Sequence, residues 1–319
     1  MHQRSLSSCH VGWLLWTLLA LCAAGGQLIE RQTPVGRYVS APLLSLLLAL
    51  LLSATNVIPI TSAVYDIIWT YIMPLAAALY LLESDLREVV STAGATLVAF
   101  IMAMAGTVVG TAVAWWLLGP QLGDGGWKVA AALCASYVGG SVNFAAVSQA
   151  LGMTPGPLLA ACMAADNIAM AAYIAVISTI PVRKEAKAGV VEASAQLAGT
   201  GGTPSSETIA CALAAAALAC ALGQWGAAAL GYPECGLAIM AVVSSLIASG
   251  TAALTKWTGK AGPAAKPFAG AEALAGSLML LFFATIGAGA GSLQALAGTG
   301  WLIAFIGVQL LVHMWLRAF

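Results

Sequence analysis

Charge is what this sequence has least of: Asp, Glu, Lys and Arg make up 8% of its 319 residues, about a third of their share in an ordinary soluble domain. With 61% apolar residues and a mean hydropathy of +0.94, so few charges cannot wet the surface of a water-soluble globule. That class is excluded, and several lipid-surrounded segments are required instead. Basic residues never run beyond two in succession, and twelve Lys+Arg balance twelve Asp+Glu, which excludes the positive footprint of a nucleic-acid binder. The seven cysteines (Cys9, Cys22, Cys134, Cys162, Cys211, Cys220 and Cys235) form no CxxC pair. Most lie inside apolar runs where a small polarizable side chain packs well, so they are read as packing residues and no metal centre is expected. Nucleotide loops and haem motifs are lacking too, and no cofactor is expected.

What is there is a series of long uncharged stretches: residues 38–65, 89–123, 129–165, 208–233, 235–255 and 273–316. A charge at mid-bilayer is strongly unfavourable, so these gaps outline membrane spans of about 20 residues each. Divided at Pro, Gly and polar punctuation, they predict an all-α fold, a polytopic transmembrane helical bundle of about ten helices. The expected limits are 11–28, 41–58, 65–82, 91–118, 128–151, 156–180, 208–230, 235–255, 272–292 and 299–317. The first segment resembles a signal peptide, with Arg4 before the Val11–Ala24 run and small residues at Ala23-Ala24-Gly25. Against cleavage, Trp13 and Trp16 are bulky for such a core and the apolar run passes on to another helix.

Ten spans put Arg31, Arg37 and Arg87 on one side of the membrane. Arg4, Lys128, Arg183, Lys184, Lys187, Lys256, Lys260, Lys266 and Arg317 fall on the other. By the positive-inside rule the N-terminus and the polar 182–207 connection face the cytoplasm or its organellar equivalent. That connection, with Gly-Thr-Gly-Gly-Thr-Pro-Ser-Ser at 199–206, is a linker between two halves, 11–181 and 208–319. At an offset of 205, Leu97-Val98-Ala99-Phe100-Ile101 aligns with Leu302-Ile303-Ala304-Phe305-Ile306. Such a match at equivalent places is what an internal repeat produces, and five helices per repeat would make the second copy inverted.

Polar groups enter the apolar zone at two places. The fifth span carries Ser136-Tyr137-Val138-Gly139-Gly140-Ser141-Val142-Asn143-Phe144, where two glycines in succession weaken a helix by roughly 1 kcal/mol each. A break there would turn Ser141, Asn143 and freed backbone groups toward a hydrated site; close helix packing is the alternative. The next span holds Ala164-Ala165-Asp166-Asn167, and Asp166 is the one charge between Lys128 and Arg183. A carboxylate at that depth needs a cation, a proton or water, so it marks a transport path or a structural pair. Spacing places Met163, Asp166, Asn167 and Met170 on one helix face, so Asp166 and Asn167 can address one cavity. Asp66 and Glu272 begin spans and are read as caps or interface residues, Pro74 as a kink, the Glu83–Glu88 cluster as a solvated turn, and His313 as a packing residue. Gly287, Gly289 and Gly291 either loosen the ninth span or pack it.

At Ser136–Asn143, Ala164–Asn167 and Ser40-Ala41-Pro42-Leu43-Leu44 the chain resembles the membrane family DUF819 (domain of unknown function 819, the YjcL-like proteins), from about Trp13 to the last residue. That family is grouped with the cation/proton antiporter and bile-acid/sodium symporter superfamily. The resemblance implies two inverted five-helix repeats with paired broken helices crossing near the midplane, Gly139–Asn143 being the first crossing and Asp166-Asn167 the adjacent polar pair. No substrate comes with it. The offset of 205 puts the second crossing near position 344, past Phe319, so the second repeat is expected to be incomplete, from a truncated product or an incomplete gene model. The long Ser/Arg-rich extension expected of a plastid-targeted member is not in this sequence, although an incomplete gene model would hide one.

The expectation is an ion-coupled secondary transporter in the plasma membrane or, in a eukaryote, an organelle membrane such as that of the plastid. Its site would comprise Gly139, Gly140, Ser141, Asn143, Asp166 and Asn167. Its partners would be the lipid bilayer, a small solute and a proton or sodium ion, with glycine-rich faces equally suited to a homo-oligomer. The alternative is a truncated, non-transporting structural or accessory membrane protein. An intramembrane serine hydrolase at Gly139-Gly140-Ser141 would need a positioned base, and His313 is the sole internal histidine; no enzyme activity is expected.

Overall fold

The computed structural model describes residues 2–37, 39–83, 86–178, 204–258, 266–291 and 299–318. Up to residue 203 the expected 182–207 connection lies outside the described residues, as does Asp85 in the Glu83–Glu88 turn. Among the described residues all regular structure is helical. The helices are α1 (His2–Gln32), α2 (Ala41–Ala54), α3 (Ala63–Ile67), α4 (Met73–Leu82), α5 (Leu86–Leu118), α6 (Gly126–Gly139), α7 (Ser141–Ala150), α8 (Pro157–Ser178), α9 (Ser206–Leu230), α10 (Gly236–Thr258), α11 (Ala271–Ala290) and α12 (Thr299–Ala318). Of these described residues, six stretches are long and apolar enough to cross a membrane: Gly12–Gln32, Ala63–Leu82, Leu97–Leu122, Ser206–Leu230, Pro233–Thr255 and Ala271–Ala290. Ala41–Ala54, Pro157–Met170 and Gly300–Leu316 are shorter apolar helices.

Local chemistry explains several boundaries. Ser62 caps α3 by accepting from Val64 N at 3.2 Å, with Asp66 in the first turn where the helix dipole favours an acid. Pro74 has no N–H to give the preceding turn, and the chain absorbs this through a π-helical turn, Ile68–Ile72, in which Met73 N reaches Ile68 O. The third span thus runs on through Pro74 to Leu82. Ser205 and Thr208 form a capping box at the start of α9, and Gly231 ends that helix in the left-handed region. Glu272 stands in the first turn of α11, where the helix dipole favours an acid, and its N–H donates to Glu83 Oε2 at 2.8 Å.

The helices pack into two units. One comprises Met1–Pro74, Ala93–Ala169 and Gly276–Phe319. Its interior holds Leu46, Leu50, Ile68, Met73, Leu133, Phe144, Phe282, Phe283 and Phe305, all essentially free of solvent. Close backbone approach organises it. Gly26 of α1 lies against Ala41 and Ser45 of α2, and Gly287 and Gly289 of α11 lie against Leu46 and Pro155. At both α11 positions a Cβ would collide with backbone, so these glycines pack the span. Ser53 adds a bond to Ala288 O at 2.7 Å. Gly106 of α5 faces His313 and Gly110 faces Gln309, so α5 and α12 pack antiparallel through the spacing of a GxxxG stripe.

The other unit comprises Leu75–Thr92 and Met170–Ala275. Ala212, Ala216, Ala219, Gly223 and Ala227 form a buried small-residue stripe on α9, and Gly223 meets Met240 and the Gly236 carbonyl of α10. Thr208 Oγ1 donates to Ala269 O at 3.0 Å, fixing the start of α9 to the segment before α11. Leu218, Trp225, Val242 and Leu246 face outward, as lipid-facing residues do.

Candidate functional site

The fifth apolar segment is interrupted where two glycines meet. α6 ends at Gly139 and α7 begins at Ser141; between them Gly140 has φ 83° and ψ −171°, a conformation that is essentially restricted to glycine. Gly140 N donates back to Ser136 O at 2.6 Å and closes α6, while Gly140 O accepts from Phe144 N at 3.1 Å and opens α7. At Gly139 the Asn143 amide lies over the residue in the space a Cβ would take, so a side chain there would have to move that amide aside. Gly139, Gly140 and Asn143 are exposed and Ser141 is half-buried. No side chain caps the N-terminus of α7. The break therefore presents the negative end of one half-helix and the positive end of another.

Asp166 stands against the last turns of α6. Its Oδ2 accepts from Ser136 Oγ at 2.9 Å, and its Oδ1 is buried without a hydrogen-bond partner. The residue is only 6% exposed. Tyr137 is the other near neighbour of this carboxylate: its buried phenol oxygen faces Asp166 but stands outside hydrogen-bond geometry.

Asn167 takes a different direction from its neighbour. Its Oδ1 accepts from Ser40 Oγ at 2.7 Å, and its Nδ2 donates to Met163 O at 2.8 Å. Ser40 occupies the N-cap position of α2 but makes no cap bond with its side chain; the Glu30 carboxylate does that work, accepting from Ala41 N at 3.0 Å. This substitution frees the Ser40 hydroxyl for α8. The six expected residues thus fall into two groups: Gly139, Gly140, Ser141 and Asn143 form the break, with Asp166 beside its α6 arm, while Asn167 is joined to α2.

Sequence reasoning assigned no site role to Ser136, Ser40, Glu30 or Gln149. Ser136 and Ser40 lie inside the strings that carried the family resemblance, and Gln149 is the one amide between Asn143 and Asn167. The π-helical turn frees the Trp69 carbonyl, and Gln149 Nε2 donates to it. Trp69 Nε1 in turn donates to Thr285 Oγ1 at 3.1 Å, and its ring lies 4.8 Å from that of Phe282. α7 is thereby held at its far end by a side-chain to backbone bond. His313 pairs through Nδ1 with Thr107 Oγ1 at 3.1 Å, on α5.

Residues 17–317 match the family described as "Protein of unknown function (DUF819)". The chain is 34% identical over 185 residues to "Uncharacterized membrane protein YjcL" of Bacillus subtilis (strain 168), a match covering 57% of this chain and 46% of that protein. The match thus spans about half the length of this curated relative. No solved structure matches the chain. With nearly its whole length matched, the chain belongs to the DUF819 family and is a multi-pass membrane protein.

Proposed function

We propose that this DUF819 protein is an ion-coupled secondary transporter whose ion and solute meet at the break between α6 and α7. Asp166 exchanges a proton or a cation such as sodium. The observation that carries this reading is the Asp166 carboxylate, buried, held by Ser136 through one oxygen and unpaired at the other. A structural acid would have both oxygens satisfied, because an unpaired carboxylate oxygen inside a bilayer is costly. The carbonyl end of α6 adds partial negative charge beside the acid and favours a cation there; the N-terminal end of α7 favours an anionic or polar group of the solute. Gly139, Gly140, Ser141 and Asn143 supply the backbone and side-chain ligands, and Asn167 sets the position of α8 against α2. Transport of this kind releases its solute chemically unchanged, so on this reading the protein is no enzyme.

The same reading places the chain in the cation/proton antiporter and bile-acid/sodium symporter superfamily, with ten spans and inverted five-helix repeats. The similar segments 97–101 and 302–306 lie on α5 and α12, and these helices pack antiparallel. Antiparallel contact between equivalent helices is what an inverted repeat gives where its axis passes between them. The glycine-rich helix faces also suit a homo-oligomer.

The test is flux in proteoliposomes that carry a trapped pH dye under an imposed sodium or proton gradient. The unsubstituted protein is expected to move protons or solute in step with the gradient, and Asp166→Asn to lose at least about tenfold of that rate, as for removal of an essential intramembrane acid. Equal rates in the two proteins would remove the assigned role.

A further inference from the structure

Asp166 meets the end of α6 through two consecutive residues. Ser136 donates to its Oδ2 at 2.9 Å, and the next side chain, Tyr137, faces the same carboxylate with its phenol oxygen. Both Tyr137 Oη and Asp166 Oδ1 are buried with no hydrogen-bond partner. Tyr137 has no part in the ligand set proposed above. The other titratable group that faces the acid is the fully buried Cys162 thiol, one turn earlier on α8. Among the described residues no basic side chain pairs with Asp166.

These surroundings discriminate between the two kinds of ion that an intramembrane acid exchanges. A hard metal cation such as sodium gives up its water only to several oxygen ligands gathered around it. Here the candidates are already engaged. The Ser136 hydroxyl is spent on Oδ2, and the neighbouring amide, Asn167, is turned to Ser40 and to the Met163 carbonyl. Asn143 lies over Gly139, and a thiol is a poor ligand for a hard ion. What is left is one carboxylate oxygen and one phenol oxygen, both closed off from solvent. A proton asks for less: a lone pair to bind, an acceptor opposite, and no cavity.

We propose that the ion exchanged at Asp166 is a proton, not sodium, and that Tyr137 is the positioning residue that receives its hydrogen bond. One O–H bond forms at Oδ1 when the proton binds and breaks when it leaves; nothing is oxidised or reduced. The neutral acid donates to Tyr137 Oη and the ionised acid accepts from the Tyr137 hydroxyl, because a phenol serves in both directions. Ser136 and Tyr137 being consecutive on α6, withdrawal of that helix end uncovers both carboxylate oxygens together, and the proton is taken up or released then. That the exchange drives solute movement rests on the transporter reading above; the identity of the ion does not.

The experiment is infrared difference spectroscopy of the full chain in lipid nanodiscs, stepped in pH with no solute and no gradient, in choline chloride and in sodium chloride at equal ionic strength. Acidification is expected to raise a carboxylic C=O band that Asp166→Asn removes and Asp166→Glu, which keeps the acid, displaces. The midpoint of that band is expected to agree within about twofold in proton concentration between the two salts, since an ion that does not bind cannot shift the equilibrium. Sodium competing for the same oxygen would instead move the midpoint by about one pH unit for each tenfold rise in sodium above its Kd, and that result would overturn the proposal. So would the absence of any pH-dependent band from Asp166. Tyr137→Phe is expected to shift the frequency of the Asp166 band, which a merely structural role would leave in place; an unshifted band removes the assignment of Tyr137. A sodium-independent midpoint together with unimpaired flux in Asp166→Asn would leave the proton site standing and remove the transporter role of the acid. Flux lost in Asp166→Asn with a sodium-dependent midpoint would do the reverse.

Discussion

Ser136 and Asp166 are thirty positions apart in the chain, and the hydroxyl of one donates to the carboxylate of the other across 2.9 Å, one turn before the backbone of α6 gives out at Gly140. A movement of the half-helix end therefore changes the surroundings of the acid directly. Ser136→Ala removes the bond to Oδ2 and leaves the carboxylate with neither oxygen held. The expected result is a changed ion dependence of flux in the proteoliposome assay, with apparent ion affinity shifted by about tenfold, the scale of one hydrogen bond to a charged group. Unchanged affinity would show that Ser136 does not hold the acid in the working protein.

Gly139 and Gly140 respond differently to alanine. Gly140→Ala forces an L residue to φ 83°, ψ −171° and is expected to cost about 1–3 kcal/mol, read as a lower melting temperature, whatever stands nearby. Gly139→Ala instead collides with the Asn143 amide. Its loss of stability should shrink by about 1 kcal/mol when Asn143→Ala is made with it, the usual size of coupling between residues in contact.

Ser40→Ala is expected to cost about 1 kcal/mol through the lost bond to Asn167, without unwinding the start of α2, because Glu30 caps that helix. Glu30→Ala should destabilise the start of α2 itself, by about 0.5–2 kcal/mol. Thermal unfolding compares the two, and amide hydrogen exchange in the first turn of α2 separates them.

Gln149→Leu leaves the Trp69 carbonyl without its donor, a loss of about 1–3 kcal/mol. Pro74→Ala restores an N–H to the turn preceding α4, which allows ordinary helical bonding to recapture the freed carbonyl groups. The effect of Gln149→Leu on thermal stability is therefore expected to be smaller in the Pro74→Ala background.

The helical segments were legible because charges are expensive in lipid: the uncharged run at 208–233 becomes Ser206–Leu230, and that at 38–65 contains Ala41–Ala54. Gly139-Gly140 marked a weak point of the helix, because two residues of poor helix propensity in one place leave the backbone little reason to stay helical, but close packing fitted the same two letters and φ 83° at Gly140 decides for the break. Gly287 was not legible, since a glycine that loosens a helix and one that lets a neighbour's carbonyl approach are the same letter; Leu46 decides it. The direction of Asn167 was hidden for another reason. Its partner Ser40 lies 127 positions away, and helix periodicity restricts which face a side chain occupies but does not say which helix meets that face. Gln149 and Trp69 show the same limit, because a carbonyl released by Pro74 has no signature in the sequence beyond the proline.

The first turn of α2 is moored on two sides at adjacent residues, Ser40 to Asn167 and Ala41 to Glu30. A screw or tilt of α2 on its own would have to rupture both moorings together, whereas a motion shared by these ends of α1, α2 and α8 ruptures neither. Conformational cycling that preserves these bonds must carry Asn167, and with it the backbone of its neighbour Asp166, as cargo on a three-helix raft.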